Sequence, residues 1–276
     1  MTQTTNREIM PLLRLPRDEP CFVFALYGVR LESNLIPLLT AARTCFEALG
    51  HPPSHLRLNA PDFGKKPLGF ARAWKRLQRV DPTSVTSLTM QTMAEGWNDW
   101  IGNGRVMWGL LAKDAMIQMC VGLGHIPDAT DKILSQMRDT LVFTQPTYGT
   151  GFTLPRSQGP TFRTMGILYG PIGEDGLTSE EGDAIGRWLY DGMHQAKSDP
   201  TILRDLYPYN LVTDAQLGVD IDGAPLRDWI AADPGRGQLL PWPEGYTLWT
   251  IDPASIPATR TALWPTRVLH ASREPA

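Results

Sequence analysis

Five polar residues in the second half of the chain are the set closest to a reactive site: Tyr148, Arg163, Asp205, Tyr207 and Asn210. A carboxylate among two phenols and a guanidinium can hold or move a proton at a bound substrate. No spacing rule links them, so they define an enzyme reading with a pocket near Tyr148, Asp205 and Tyr207 and nothing narrower. Other chemistries lack their residues. His51 and His55 stand four apart, which would place two ligands on one helix face, but Pro52 and Pro53 between them oppose a helix. His125, His194 and His270 have no Cys, His or acid at ligand spacing, and neither C-x-x-C nor H-E-x-x-H occurs. No metal and no cofactor is expected.

Phosphate cradles and nucleophiles are equally short of parts. Gly149-Thr150-Gly151 begins like a dinucleotide loop but lacks the third glycine and the long helix. Asp233-Pro234-Gly235-Arg236-Gly237 lacks the Lys-Ser/Thr of a P-loop, and no G-x-S-x-G or S-x-x-K is present. Gln195-Ala196-Lys197 has the letters of a restriction-type nuclease strand. It falls at the end of an expected helix, where Lys complements the negative end of the dipole. The three cysteines, Cys21, Cys45 and Cys120, are odd in number and lie among apolar residues. They read as buried free thiols rather than as a disulfide framework or a nucleophile. The pattern favours a binding protein over an enzyme.

The elements that would position these residues follow from periodicity. Cys21 to Val29 is apolar on both alternating faces, as a central strand is. Leu35, Leu38, Leu39, Ala42, Phe46 and Leu49 recur at three and four residues, so a helix follows and Gly50 stops it. Leu56 and Leu58 mark a short strand, and a basic helix runs from about Gly69 to Arg79 with Phe70, Trp74 and Leu77 inward. Val85–Met93, Arg105–Leu111 and Met116–Leu123 read as an antiparallel meander, closed by a helix from Ala129 to Leu141. After a Gly- and Pro-rich stretch at Pro146–Pro160, a strand is expected at Phe162–Tyr169. A capping box at Thr178 and Glu181 opens a helix to about Lys197. A strand at Tyr209–Val212, helical turns at Asp214–Leu217 and Leu226–Ala232, a hairpin at Gln238–Ile251, a helix at Ile256–Leu263 and a strand at Arg267–His270 complete the pattern. The expected class is α+β: two ferredoxin-like or related sandwich modules with mainly antiparallel sheets, 1–145 and 146–276, separate or packed as one domain.

With 276 residues, 42% apolar and 20% charged, the chain can bury a sizeable core. Pro and Gly total 49 (24 plus 25), which favours turns and short elements. No apolar run reaches the ~20 residues of a membrane helix, and residues 1–17 hold no run of signal-peptide length. A cytoplasmic protein is expected.

Charge is segregated. Residues 1–80 carry 12 bases and 6 acids, or +6, while residues 174–233 carry 13 acids and 4 bases, or −9. Such asymmetry speaks to partners rather than to fold. Glu180, Glu181, Asp183, Asp220, Asp222 and Asp228 are candidates for an acidic face that docks on the basic surface of a nucleic-acid-cleaving enzyme. Trp97 and Trp100, in a glycine-flanked loop, are candidate anchors for a protein partner. The basic stretch Arg57–Arg79, with seven bases and one acid, supports a third reading, a nucleic-acid-binding module.

Four stretches carry a resemblance. They are Phe24-Ala25-Leu26-Tyr27-Gly28, Pro146 to Phe152, Gly166 to Pro171, and Leu203 to Leu211 with Leu226-Arg227-Asp228-Trp229-Ile230 beyond it. Together they resemble immunity proteins that accompany type VI secretion toxins, most closely the family paired with toxins of restriction-endonuclease fold (immunity protein family 52). The resemblance implies a non-catalytic α+β protein that binds and neutralises a cognate antibacterial nuclease toxin in the cytoplasm. It implies no catalytic residues, so the interface candidates rest on the charge argument.

Overall fold

The computed structural model describes residues 18–30, 35–61, 68–92, 106–112, 115–126, 128–167, 179–188 and 199–273. Alternating side chains assemble these residues around one ten-stranded sheet. Its strands are β1 (Pro20–Tyr27), β2 (His55–Asn59), β3 (Leu68–Gly69), β4 (Ser87–Thr92), β5 (Val106–Leu111), β6 (Met116–Gly122), β7 (Tyr148–Pro155), β8 (Tyr209–Val212), β11 (Gln238–Pro241) and β12 (Thr247–Thr250). The order is β11-β12-β8-β7-β1-β6-β5-β4-β2-β3, and every neighbouring pair is antiparallel. A second sheet is the small hairpin of β9 (Asp220–Ile221) and β10 (Ala224–Pro225). The protein is α+β with mainly antiparallel pairing.

The apolar run at Cys21–Tyr27 is fully interior because β1 has a strand on each side and a packed layer on each face. Phe22, Phe24 and Leu26 point into one layer, against Leu38 and Leu39 of α1 (Leu35–Ala48) and Ile133 and Met137 of α3 (Ala129–Thr144). Ala25 and Tyr27 point into the other, with Trp188, Leu226, Ile230 and Leu263. α2 (Phe70–Leu77) covers β2 and β3 at one end of the sheet. Gly50 takes φ +75 just past α1, the left-handed turn that only glycine adopts freely.

The stretch 146–160 carries β7, which pairs with β1 along its length. Strands from before and after it therefore lie in one sheet. The meander is β4-β5-β6 as expected, and β8, the hairpin of β11 and β12, and the helices Leu226–Ala231 and Ile256–Leu263 follow the sequence pattern.

Two expected strands do not form among the described residues. Phe162–Tyr169 was expected to be a strand, but its described part belongs to the short helix α4 (Pro160–Thr164). Gly159 at φ +58 turns the chain, Pro160 fills the first helical position, and Gly166 at φ +84 ends the turn. The local backbone chemistry overrides the apolar run. Arg267–His270 makes only a single parallel bridge, Leu203 to Leu269, since Arg267 at φ +57 cannot sit in a ladder. The helix expected to Lys197 is described as α5 (Ser179–Arg187), with Trp188 buried beyond it. Thr178, Leu189, Met193 and 195–197 lie outside the described residues.

Gly151 sits opposite Phe24 where β7 meets β1, and a Cβ there would lie 2.5 Å from Phe24 Cδ2 and 3.1 Å from Tyr209 Cβ. Gly151→Val is expected to cost about 1–3 kcal/mol in urea unfolding, as overpacking does. An unchanged midpoint would contradict this packing.

Candidate functional site

The five residues of the enzyme reading do meet. β1 and β7 place Tyr27 and Tyr148 as cross-strand partners, with rings stacked at 6.0 Å. The segment 203–210 then crosses the same end of the sheet. Arg204 Nη1 donates to Tyr27 Oη (3.1 Å) and to the Thr164 carbonyl (2.9 Å). Its Nη2 donates to the Arg163 carbonyl (2.6 Å). The guanidinium lies over Trp188 at 5.5 Å and over Tyr207 at 5.7 Å. Tyr148 Oη donates to the Asp205 carbonyl (3.1 Å). Asn210 is bound through both ends of its amide: its Oδ1 accepts from Tyr207 N (3.1 Å) and its Nδ2 donates to Tyr207 O (2.6 Å). The Thr164 hydroxyl meets Gln118 of β6. Asp205 pairs with Arg260 at 2.9 Å.

This geometry is that of a junction. Tyr148 and Asn210 are 0% exposed and Arg204 2%. Burial pushes the Tyr207 phenol up to about 12 and Tyr148 well above its ordinary value, so both stay neutral hydrogen-bonding groups. Burial also raises Asp205 despite the opposing pull of Arg260. Arg163 joins through its backbone carbonyl, which accepts from Arg204. Of the residues expected to form a pocket, Tyr148 and Asn210 direct polar atoms at the backbone and Asp205 directs its carboxylate at Leu206 N and Arg260. They tie the 160–166 turn and the 203–210 segment to β1, β6 and β7.

A second buried polar cluster had no signal in the sequence. Glu19 and Arg156 are 137 positions apart and meet through Arg156 Nε and Glu19 Oε2 at 3.0 Å. A Cβ on Gly122 would lie 2.5 Å from Glu19 Oε1, so the glycine leaves room for the pair. All three cysteines are buried and free. A hydrogen bond from Cys120 lowers Cys21, and the same contact with burial raises Cys120. Burial pushes Cys45 up to about 12.

Three of the acidic candidates come together. Asp220, Asp222 and Asp228 lie in one lobe built from the helical turn Asp214–Leu217, the β9–β10 hairpin and the helix Leu226–Ala231. All three are exposed, as are Asp214 and Asp233. Asp222 takes φ +53 and Gly223 φ +89 at the hairpin turn, which thrusts the carboxylate outward. Asp220 accepts from Gly223 N (3.0 Å). The two bases of this lobe are engaged: Arg227 pairs with Asp214 at 2.5 Å. Arg236 pairs with Asp233 at 3.7 Å and lies 3.9 Å over Trp229. Asp222 and Asp228 have no ion-pair partner among the described residues. Asp183 is exposed on α5, which packs against residues 270–272. Glu180 and Glu181 stand in the first turn of α5, and their side chains, like Trp97 and Trp100 entirely, lie outside the described residues. No helix among the described residues is long and apolar enough to cross a membrane.

Among solved structures, the chain matches the Pseudomonas aeruginosa T6SS protein PA0821 with a TM-score of 0.56 and 13% identity, over 91% of this chain and 73% of that one. The chain has the fold of a type VI secretion system protein. A second match is to the toxic C-terminal tip of CdiA from Pseudomonas aeruginosa in complex with immune protein. Its TM-score is 0.28 at 13% identity, over 50% of this chain and 88% of that one, which is too low for a shared fold. No family model and no curated protein matches.

Two measurements check the junction. In the junction Tyr207 is held near 12 and Tyr148 is raised, and outside it burial holds Tyr246, which donates to the Pro146 carbonyl (2.7 Å), near 12 as well. A phenol whose folded value exceeds the unfolded value near 10 adds stability below pH 10, and that stability drains as pH climbs from 10 towards 12. Absorbance at 295 nm should therefore show these three tyrosines unionised at about pH 11 until the chain unfolds, with Tyr→Phe variants assigning each one. Complete ionisation near 10 in the folded protein would refute it. Arg204→Ala removes three buried charge-assisted hydrogen bonds, although the Thr164 carbonyl still accepts from Tyr27 Oη and the Arg163 carbonyl from Gly166 N, and should cost about 2–3 kcal/mol; a loss under about 1 kcal/mol would deny the junction its role.

Proposed function

We propose that this chain is an immunity protein that binds a nuclease toxin and blocks it, using the acidic lobe at 214–233 as its docking surface. The observation that carries the reading is the cluster of exposed carboxylates at Asp220, Asp222 and Asp228, none of them with an ion-pair partner among the described residues, on a lobe whose bases are already engaged. A nuclease must present positive charge to grip phosphates. Carboxylates held outward on short, well-packed elements match such a groove, speed encounter and exclude the nucleic acid. The fold shared with a T6SS protein supports a place in the same secretion setting. In this reading the chain acts without catalysis and in the cytoplasm, where the toxin's substrate lies. The burial of Tyr148 and Asn210, whose polar atoms are bonded to the backbone, supports the non-catalytic part.

The test is co-expression with the product of the neighbouring gene, followed by a nuclease assay. A one-to-one complex that silences cleavage is expected. Reversing Asp220, Asp222 and Asp228 to Lys should weaken it about tenfold or more, mostly through slower, less salt-dependent association. Affinity unchanged by the reversals would remove the lobe from the interface. Undiminished cleavage, with no complex, would end the immunity reading.

A further inference from the structure

The helix Leu226–Ala231, which carries Asp228, packs on β11, the first strand in the sheet order. β11 has β12 on one side and no strand on the other among the described residues. The opposite edge, β3, is two residues long and packs against the basic α2. In an antiparallel pair, alternate residues turn both backbone groups to the partner. Trp242 N donates to Tyr246 O (2.8 Å), so Trp242, and by alternation Leu240 and Gln238, face β12. The N–H and C=O of Leu239 and the C=O of Pro241 therefore point away from the sheet, and they have no hydrogen-bond partner among the described residues. Gln238, Leu240 and Pro241 are exposed, and Leu240, at 43%, is one of two large hydrophobics exposed among the described residues. The side chains divide by face: Leu239 stands opposite Trp249 in the layer that holds the acidic lobe, and Leu240 opposite Leu248 on the other face. Charged side chains, Lys above all, ordinarily guard a free edge. Residues 237–259 contain Glu244 and Asp252 and no base. Arg236, just before the strand, is held by Asp233 at 3.7 Å and by the Trp229 ring.

We propose that the toxin adds a strand to the open edge of β11. An extended segment of it pairs antiparallel with Leu239 and Pro241, and its side chains alternate between apolar residues beside Leu240 and basic residues on the face of the acidic lobe. The inference rests on the immunity reading and adds to it a backbone contact that charge alone does not supply. Strand addition draws its affinity from main-chain hydrogen bonds and its specificity from alternate side chains. A residue opposite Leu239 both gives and receives a hydrogen bond there, and a second N–H two residues along reaches the Pro241 carbonyl. Pro241 offers no donor in return, so pairing ends at that point. The two faces set the chemistry of the segment. Leu240 gains from being covered by an apolar side chain. On the other face Asp228 and its neighbours, with no spare base among them, favour Lys or Arg.

The experiment measures association and dissociation rates of the full chain with the neighbouring gene's product, for Leu239→Pro, Leu239→Ala and Leu240→Lys. Proline at an edge position whose N–H faces solvent removes the outward donor and leaves the β11–β12 bonds in place. Leu239→Ala loses the same side chain and keeps the donor. Leu239→Pro should dissociate about tenfold faster than Leu239→Ala or more, with association little changed, since short-range contacts act on dissociation. Leu240→Lys, at an exposed position that leaves the thermal midpoint unchanged, should weaken the complex about tenfold as well, and it decides the matter if Leu239→Pro does not fold. Equal dissociation of the Pro and Ala variants, or a Leu240→Lys complex as tight as the parent's, would overturn strand addition. If Asp220→Lys, Asp222→Lys and Asp228→Lys still slow association in that case, the acidic lobe stands and the strand alone falls. No complex with the parent chain overturns both.

Discussion

β1 has to be paired on both edges and covered on both faces, and most of the molecule answers that demand. An eight-residue strand with Phe22, Phe24 and Leu26 on one side and Val23, Ala25 and Tyr27 on the other leaves no surface for water. β6 and β7 satisfy its backbone, α1 and α3 cover one face, and α4, Trp188 and the C-terminal helices cover the other. The glycines of β7 follow from the same demand. Gly149 and Gly151 stand where a side chain would strike Leu26 or Phe24, so β7 can lie flat between β1 and β8. A Gly-rich segment that reads as a linker is, in this setting, a strand chosen for thinness.

The buried polar junction extends that constraint. A sheet covered on both faces must supply partners for any irregular chain that crosses it, because an unpaired buried polar group is costly. Arg204 meets this need for the turn after α4, giving its protons to two backbone carbonyls and one phenol. Asn210 does the same for the bend at 207, and Gln216, with its Nε2 donating to Thr147 O at 2.9 Å, for the approach to β7. Tyr, Arg, Asp and Asn close together in sequence can thus be the mark of a crossing point rather than of a reaction centre.

Regular elements were legible because they are amphipathic or apolar at fixed periods: β1, α1, the meander, α3 and the hairpin of β11 and β12 all follow the pattern of their side chains. The errors lie where backbone conformation decides. Phe162–Tyr169 has the composition of a strand, yet Gly159, Pro160 and Gly166 fix a turn of helix there. Arg267 in the left-handed region breaks a strand that no residue type forbade. Phe70 and Trp74, expected inward, do pack against the core, though half-buried, because α2 sits at the rim of the sheet. Long-range pairs such as Glu19 with Arg156, 137 positions apart, leave no trace in local spacing. For the acidic residues, charge segregation was visible in the sequence, while the gathering of Asp220, Asp222 and Asp228 on one lobe depends on the β9–β10 turn and the helix after it.

A rigid scaffold with opposite charge at its two ends can engage a basic protein at one pole without involving the other. Coulombic reach at physiological salt is about 8 Å, far less than the breadth of the sheet, so the poles act independently. The account therefore hinges on where a toxin sits. Hydrogen exchange of the chain alone and in complex with the neighbouring gene's product tests this most directly. Slowed exchange concentrated at 213–236, with α2 unchanged, is the predicted result. Protection at α2 or along β2 and β4, with 213–236 exchanging as in the free chain, would contradict it.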